Sequence, residues 1–312
     1  MNKVKSWLES VGVEGELEIA SVDASARAYY RLRESIHSSI VMDASKQKES
    51  IKPFIEMTHR LREAGVRVPK IFVVNPQEGF LLLEDIGDTH LLQKLEDNTF
   101  EGFYEKAMDS IIKIQQADIE ELPPYNTEFL RSEMELMQEW YLEKYLNRAF
   151  DDGEKKVISD TIEKVIEVVL SQPQGFFVHR DFHSRNLMLT PQDEIVVIDY
   201  QDARVGAVTY DLVSLLRDCY ISFDPVKIEK LALLFRDKQG LDTDDETFMR
   251  WFDFMGLQRH IKVLGIFARL YLRDGKDGYL DDIPQTLKYV KDVSAKHEEM
   301  KPLMKLFEKL GV

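Results

Sequence analysis

The sequence has too few cysteines for a disulfide framework and too little positive charge to suit nucleic acid. Cys219 is the one cysteine in 312 residues, which excludes an internal disulfide and a cysteine-based metal cage. It lies in an apolar pattern, so we expect a buried structural thiol. Lysine and arginine number 41 against 56 aspartates and glutamates, a net charge of −15. Because so acidic a surface repels phosphate backbones, we expect no nucleic-acid partner.

Long apolar runs are also missing. Charges interrupt the longest candidates before they reach the roughly 20 residues that a membrane-spanning helix needs. Residues 1–20 have the pattern of a short amphipathic helix and lack the apolar stretch and cleavage site of a signal peptide. We therefore expect a cytoplasmic protein with no membrane partner. Hydrophobic residues make up 44% and charged residues 31% of the chain, a balance typical of globular proteins.

The pattern of the chain changes from β-rich to helical between residues 85 and 91. Within 16–85, short β-branched and aromatic segments predict strands, with one amphipathic helix inserted before the last two. A β-like island over 176–199 interrupts the later, helical part. The helical spacing predicts helices over 99–117, 127–149, 153–171, 209–219, 225–237, 245–273 and 283–310.

This pattern predicts an α+β chain with two lobes. We place a small β-rich lobe at 1–88 and a larger, mainly helical lobe at 89–312, with a connecting hinge at 84–88. The apolar faces of the two lobes are expected to leave a cleft near the hinge and the β-like island.

The β-like island carries the strongest chemical signal. Residues 179–186 have the pattern H-R-D-x-x-x-x-N, in which Asn186 follows Asp181 by five positions, and Asp199 ends the next hairpin. Phosphoryl transfer from ATP needs a carboxylate for the proton of the attacking hydroxyl and oxygen ligands for Mg²⁺. Taken singly, these residues are also typical of turns and strand ends. Together they predict a phosphoryl-transfer site that uses ATP and Mg²⁺.

The sequence around this site resembles a known family. Residues 179–188 and 197–218 are similar to the aminoglycoside phosphotransferase family, whose relatives include choline and homoserine kinases. The resemblance implies a two-lobed protein-kinase-like fold in which ATP and Mg²⁺ serve to phosphorylate a hydroxyl of a small molecule. It also implies that Asp181 is the catalytic base and that Asn186 and Asp199 are the Mg²⁺ ligands.

The spacing of two aspartates and four further sequence segments restrict the class of substrate that we expect. Asp211 follows Asp199 by 12 positions with no A-P-E segment, which leaves little room for an activation loop and favours small molecules over protein substrates. Residues 23–31, 40–44, 199–203 and 258–270 resemble a bacterial subgroup that phosphorylates the amino sugars N-acetylmuramate and N-acetylglucosamine at the anomeric hydroxyl, in peptidoglycan recycling. The implied product is the sugar 1-phosphate.

An amino-sugar substrate suggests further contacts. The lactyl carboxylate of N-acetylmuramate would need a cation, ideally a bidentate arginine. The cations in the matched segments are Arg185, Arg217, Arg259 and Lys262. The candidate partners of sugar hydroxyls are Asp202, Tyr210 and Asp211. Ion pairing and helix capping are the simpler interpretations of these residues.

Two parts of the usual kinase pattern are altered. Residues 23–28 stand where a glycine-rich phosphate loop would be, with Ser25 and Arg27 as its polar candidates, although an ordinary hairpin has the same composition. Met42 occupies the place of the phosphate-binding lysine, and Arg27 or Arg31 is the predicted substitute.

The hinge is expected to hold the adenine. Its position predicts backbone contacts from residues 83–88, which include Glu84 and Ile86, with apolar contact from Leu82 and Ile86. Two rival functions remain open on these residues: a kinase for an aminoglycoside, choline or another sugar, and a nucleotide-binding pseudokinase that acts as a regulator. The missing lysine and glycine loop favour the pseudokinase, whereas the intact Asp181, Asn186 and Asp199 favour an enzyme.

Overall fold

The computed structural model describes residues 2–22, 27–34 and 37–312. Contacts between Cα atoms divide the chain into two compact units, Met1–Gln93 with Arg185–Asp202 and Lys94–Ser184 with Ala203–Val312. The predicted lobe boundary at residues 88 and 89 stays a prediction; the contact division differs from it because 185–202 groups with the first unit. Among residues 2–22, 27–34 and 37–312, the structure contains no helix whose length and hydropathy would suit a membrane span.

The first unit is built on a five-stranded antiparallel sheet. Its strands and helices are α1 (Asn2–Ser10), β1 (Glu16–Val22), β2 (Ala28–Arg33), β3 (Ser38–Asp43), α2 (Ile51–Glu63), β4 (Ile71–Asn75) and β5 (Phe80–Glu84). The strand order in the sheet is β1-β2-β3-β5-β4. The amphipathic face of α1 packs on the sheet, where the rings of Trp7 and Phe80 lie 5.5 Å apart. Helix α2 stops before Gly65, whose φ of 77° lies in the left-handed region that glycine adopts readily.

Four short strands follow later in the chain: β6 (Phe176–Val178), β7 (Leu187–Leu189), β8 (Ile195–Val197) and β9 (Arg204–Gly206). The β7–β8 hairpin belongs to the first unit, where the Leu189 amide donates to the Thr89 carbonyl and the Val197 amide to the Arg67 carbonyl, both at 2.9 Å. Strand β6 pairs with β9 in the second unit. The sequence pattern does not predict β9, because three residues are too few to show a period.

The second unit is mainly helical. Its α-helices are α3 (Phe100–Ile114), α4 (Thr127–Leu136), α5 (Asp152–Ser171), α6 (Tyr210–Leu216), α7 (Pro225–Gln239), α8 (Asp245–Asp274), α9 (Ile283–Lys296) and α10 (Lys301–Leu310). Asp151 and Glu154 form a capping box at the start of α5, and Gly240 and Gly275 end α7 and α8 in the left-handed conformation. Helix α8 is buried along an unbroken run from Phe252 to Gly265, which makes it the core of this unit.

Two predicted helices are divided in the structure. The predicted helix 127–149 is α4 followed by a π-helix over Met137–Tyr145. The predicted helix 283–310 is α9 and α10, separated by an extended His297 and a 3₁₀ turn over Glu298–Met300. Pro302 explains the second division, because proline has no amide hydrogen to continue a helix and favours a helix start.

Cys219 lies just beyond the end of α6 and is buried, with 5% of its surface exposed. Burial raises the pKa of its thiol to about 12. The thiol is therefore protonated and shielded, as the apolar pattern around it predicts.

Candidate active site

A cavity of about 320 Å³ lies within the first unit. Ile40 of β3 and Leu83 of β5 form part of its apolar wall, and the hinge residues Glu84 and Ile86 line it beside them. The loops that flank the β7–β8 hairpin complete the wall with Arg185, Asn186, Asp199, Tyr200 and Gln201. The structure thus brings the predicted hinge and the predicted metal ligands to one cavity.

Two ion-pair groups fix residues 84–88, the predicted hinge. Arg67 Nη1 and Nη2 donate to the two carboxylate oxygens of Glu84, at 2.8 and 2.6 Å. Arg31 of β2 donates to Asp85 at 2.7 Å and to Asp88 at 2.8 and 2.9 Å, and these carboxylates, Asp88 first, raise the pKa of Arg31 well above its usual range. The charge of Arg31 is therefore neutralised at the hinge, which speaks against its predicted role as the phosphate-binding cation.

The predicted phosphate cradle is only partly described. Ser25 lies outside the described residues. Arg27 is 6% exposed, and its Nε donates to the hydroxyl of Ser50 at 3.3 Å. Met42, in the place of the usual lysine, is fully buried.

Asn186 and Asp199 lie side by side on the cavity wall. Asn186 Nδ2 donates to Asp199 Oδ2 at 3.3 Å, and Gln201 Nε2 donates to the other carboxylate oxygen at 2.8 Å. Asp199 has a φ of 65°, a strained conformation for a residue with a side chain.

An amide oxygen beside a carboxylate is the donor set that Mg²⁺ accepts when water and phosphate complete its shell. The described residues hold no group of three or more His, Cys, Asp or Glu side chains placed for a metal. The pair formed by Asn186 and Asp199 therefore fits Mg²⁺ carried by a nucleotide better than a metal enclosed by protein.

The loop that carries Asp181 is held from three directions within the second unit. The carboxylate of Asp211 accepts the amides of His179 and Arg180, at 2.8 and 3.0 Å. Asp218 accepts the amide and the hydroxyl of Ser184, at 2.9 and 2.5 Å. From α8, Arg259 Nη1 donates to the carbonyl of Arg180 at 2.6 Å. These contacts fix both ends of the loop and leave the Asp181 side chain 42% exposed between them.

The electrostatic surroundings keep Asp181 ionised. Burial alone would raise its pKa, but Lys262 and Arg259 outweigh burial and hold the pKa of Asp181 well below its usual range. The nearest Arg259 nitrogen lies 4.0 Å from Asp181 Oδ1. Burial lowers the pKa of His183 to about 4, so this loop imidazole is neutral at pH 7. The site therefore presents an anionic carboxylate that can accept a hydrogen bond from a hydroxyl.

The other predicted substrate residues lie in different surroundings. Arg185 lines the cavity of the first unit, and Asp202 is exposed in the same unit. Tyr210 is 1% and Asp211 0% exposed, and both bind other protein groups. Their predicted contacts with sugar hydroxyls stay predictions, and their burial speaks against them.

Sequence reasoning missed several residues that support the loop. Glu133 and Asp218 are buried carboxylates that bind loop residues, and Tyr125 donates to Glu133 at 2.9 Å. An acidic residue inside an amphipathic helix was the one available signal for Glu133. Arg217, a candidate for the lactyl carboxylate, instead donates to the buried Asp253 at 2.5 Å.

Comparisons with known proteins find relatives with established names. The chain is 37% identical to the N-acetylmuramate/N-acetylglucosamine kinase of Neisseria meningitidis serogroup B, over 99% of this chain and 95% of that protein. It is 37% identical to the kinase of the same name from Pseudomonas putida, over 95% and 88%.

Solved structures share the fold. A choline/ethanolamine kinase family protein from Mesorhizobium loti superposes with a TM-score of 0.68 at 15% identity, covering 96% of each chain. The ADP-bound aminoglycoside phosphotransferase APH(2'')-Ib gives 0.64 at 15% identity, covering 92% of this chain and 97% of that one. These similarities confirm the predicted α+β, protein-kinase-like fold.

A sequence profile of the phosphotransferase enzyme family matches residues 16–251, most of the chain. This match includes the hinge, the loop of Asp181 and the pair formed by Asn186 and Asp199. The chain therefore belongs to the phosphotransferase enzyme family.

Proposed function

We propose that this chain is an ATP-dependent kinase that transfers a phosphoryl group to the anomeric hydroxyl of N-acetylmuramate or N-acetylglucosamine. The observation that carries the proposal is the near full-length similarity, at 37% identity, to kinases named for these two sugars. The product would be a sugar 1-phosphate, and ADP would leave.

Asp181 is the proposed base. Its low pKa makes it a weak proton acceptor, so it would orient the hydroxyl and take the proton late in the reaction. An anomeric hydroxyl is more acidic than an ordinary alcohol, which suits so weak a base. Positioning of the hydroxyl would then supply much of the rate enhancement.

The cavity of the first unit is the proposed nucleotide site. Ile40, Leu83 and Ile86 provide apolar surface for an adenine, and the hinge provides backbone donors and acceptors. Asn186 and Asp199 would hold Mg²⁺, which neutralises charge on the transferring phosphoryl group when bound. Arg27 is the proposed cation near the phosphates, supported by its position directly before β2.

On the acceptor side, Arg259 and Arg185 are the proposed partners of a lactyl carboxylate. Arg259 is 4% exposed and close to Asp181, so its charge is poorly screened by water. Asp202 is exposed and is kept as a proposed partner of sugar hydroxyls.

The direct test is turnover of the purified chain with Mg²⁺ and ATP on a panel of N-acetylmuramate, N-acetylglucosamine, choline and an aminoglycoside. We expect ADP release with the two amino sugars and a ³¹P signal that couples to the anomeric proton. Asp181→Asn should lower kcat by about 100-fold or more while the protein stays folded. Turnover of choline or the aminoglycoside alone, or full activity of Asp181→Asn, would contradict the proposal.

A further inference from the structure

The buried carboxylate of Glu133, on α4, accepts hydrogen bonds from several polar groups, one of which belongs to the Asp181 loop. Glu133 accepts Arg180 Nη2 at 2.9 Å, Gln258 Nε2 at 3.0 Å and the Tyr125 hydroxyl at 2.9 Å. Lys262 Nζ lies 3.1 Å from its Oε1. The Glu133 side chain is 7% exposed, so these contacts form in a region that excludes most water. A buried carboxylate with several charged donors is a far stronger constraint than a surface ion pair.

The residue that Glu133 holds comes directly before Asp181. Arg180 has a φ of 79°, a left-handed conformation that costs about 1 kcal/mol or more for a residue with a side chain. Its amide binds Asp211, its carbonyl accepts Arg259, and its guanidinium binds Glu133 and the Tyr125 hydroxyl. Backbone and side chain are thus tied to several helices and loops at once, which is how a strained residue persists.

The charge balance of this region depends on Glu133. Burial raises its pKa, but Lys262 and Arg180 outweigh burial and lower it, so Glu133 is ionised. The cations Arg180, Arg259 and Lys262 face two carboxylates, Glu133 and Asp181. Without Glu133, Lys262 and Arg259 would still act on the charge of Asp181, with one buried anion fewer to balance them. Asp181 would then be drawn toward them and away from a substrate hydroxyl.

In regulated protein kinases, a phosphate on the activation loop pairs with arginine and orders the catalytic parts. Here Asp211 follows Asp199 by 12 positions, and the carboxylate that pairs with Arg180 is Glu133 of α4. We propose that Glu133 is a positioning residue that performs this task permanently, through Arg180, so that the Asp181 loop is held in its working conformation with no covalent modification. The inference rests on the proposed function in taking Asp181 as the base.

The test compares Glu133→Gln with Glu135→Gln, an exposed glutamate on the same helix. We expect Glu133→Gln to lower kcat by about 100-fold, the loss that small misplacements at a reacting centre produce, with an unchanged dissociation constant for ADP. Hydrogen–deuterium exchange of peptides from 178–184 should become faster in this variant alone. Glu135→Gln should match the wild type in all three measurements.

A second variant guards against unfolding. Glu133→Gln combined with Lys262→Met removes one anion and one cation, which keeps the buried charge balanced. We expect it to fold and to turn over more slowly than Lys262→Met alone, because Arg180 still lacks its carboxylate. Wild-type kcat in either variant would overturn the inference. So would wild-type protein that is unmodified by intact mass and becomes active only after it is phosphorylated.

Failure of the proposed function gives a different result. A wild-type chain that turns over neither amino sugar would refute that function. Exchange in the 178–184 peptides would still decide whether Glu133 holds the loop, since that measurement needs no substrate. Equal exchange in Glu133→Gln and Glu135→Gln would reject the positioning role whichever substrate is phosphorylated.

Discussion

At the scale of single residues, Asp181 combines two properties that usually oppose each other. Its surroundings are buried enough to raise a carboxyl pKa, yet cations lower the pKa well below its usual range. The groups that face it and act on its charge are Lys262, Arg259, His183 and Arg180. An acid limb in the pH–rate profile of the wild type should therefore not come from Asp181 anywhere near neutral pH.

Removing one of these cations should make the titration of Asp181 visible in the pH–rate profile. Lys262→Met takes away the strongest lowering effect, so the pKa of Asp181 should rise toward the ordinary range of an aspartate. We expect the acid limb of kcat/KM, which reports groups of the free enzyme, to move to higher pH by about one pH unit or more. Lys238→Met, which breaks a surface pair with Asp109, is the control. An acid limb that stays at the wild-type pH in folded Lys262→Met would count against this electrostatic account.

At the scale of helices and strands, the close approach of α8 to the end of α4 depends on one glycine. A Cβ atom at Gly265 would stand 2.3 Å from the carbonyl carbon of Leu136 and 2.5 Å from its oxygen. Leu136 is the last residue before the π-helix, so the helices meet where the hydrogen-bond pattern changes. Backbone atoms cannot move aside as a flexible side chain can.

We expect Gly265→Ala to destabilise the fold by about 2 kcal/mol or more, because overpacking against backbone outweighs the gain of about 1 kcal/mol in helix propensity. Gly102 lies in α3, where an added Cβ would meet no atom within 4 Å, so Gly102→Ala should be neutral or stabilising. Urea unfolding of both variants beside the wild type measures the difference. Equal stability of the two variants would show that α4 and α8 can separate at little cost.

The elements also show what the sequence could and could not predict. The strands of the sheet follow from local β-branched and aromatic patterns, and the pair formed by Asn186 and Asp199 follows from a motif within 21 residues. Glu133 lies 47 positions before Arg180, on a helix whose pattern shows only that it is amphipathic. The pairing of Arg31 with Asp85 depends on contacts 54 positions apart. A short motif can therefore predict the reacting residues from sequence, whereas the residues that hold them in place are brought together only by tertiary packing.

At the scale of the whole molecule, ligand binding should raise the stability of the folded protein. A ligand at 100 times its dissociation constant stabilises a folded protein by about 2.7 kcal/mol. We expect ADP to raise the melting temperature of the wild type, and Mg²⁺ to add to that rise. Asp199→Asn should keep the ADP effect and lose the Mg²⁺ increment, because the proposed metal ligand is gone.

Gln192→Ala, in the exposed turn of the β7–β8 hairpin, is the matched control for Asp199→Asn and should show both increments. Thermal melts with ADP, with and without Mg²⁺, make the comparison. A full Mg²⁺ increment in Asp199→Asn would remove this residue from the proposed metal site.

The single buried thiol can be used to measure local opening of the protein. Cys219 is 5% exposed and its pKa is raised to about 12, so a maleimide should not react with it while the second unit is folded. Each molecule has one such group, so every label incorporated marks one molecule that has opened at the end of α6. A short alkylation pulse followed by mass spectrometry would then count opened molecules directly, with no engineered probe.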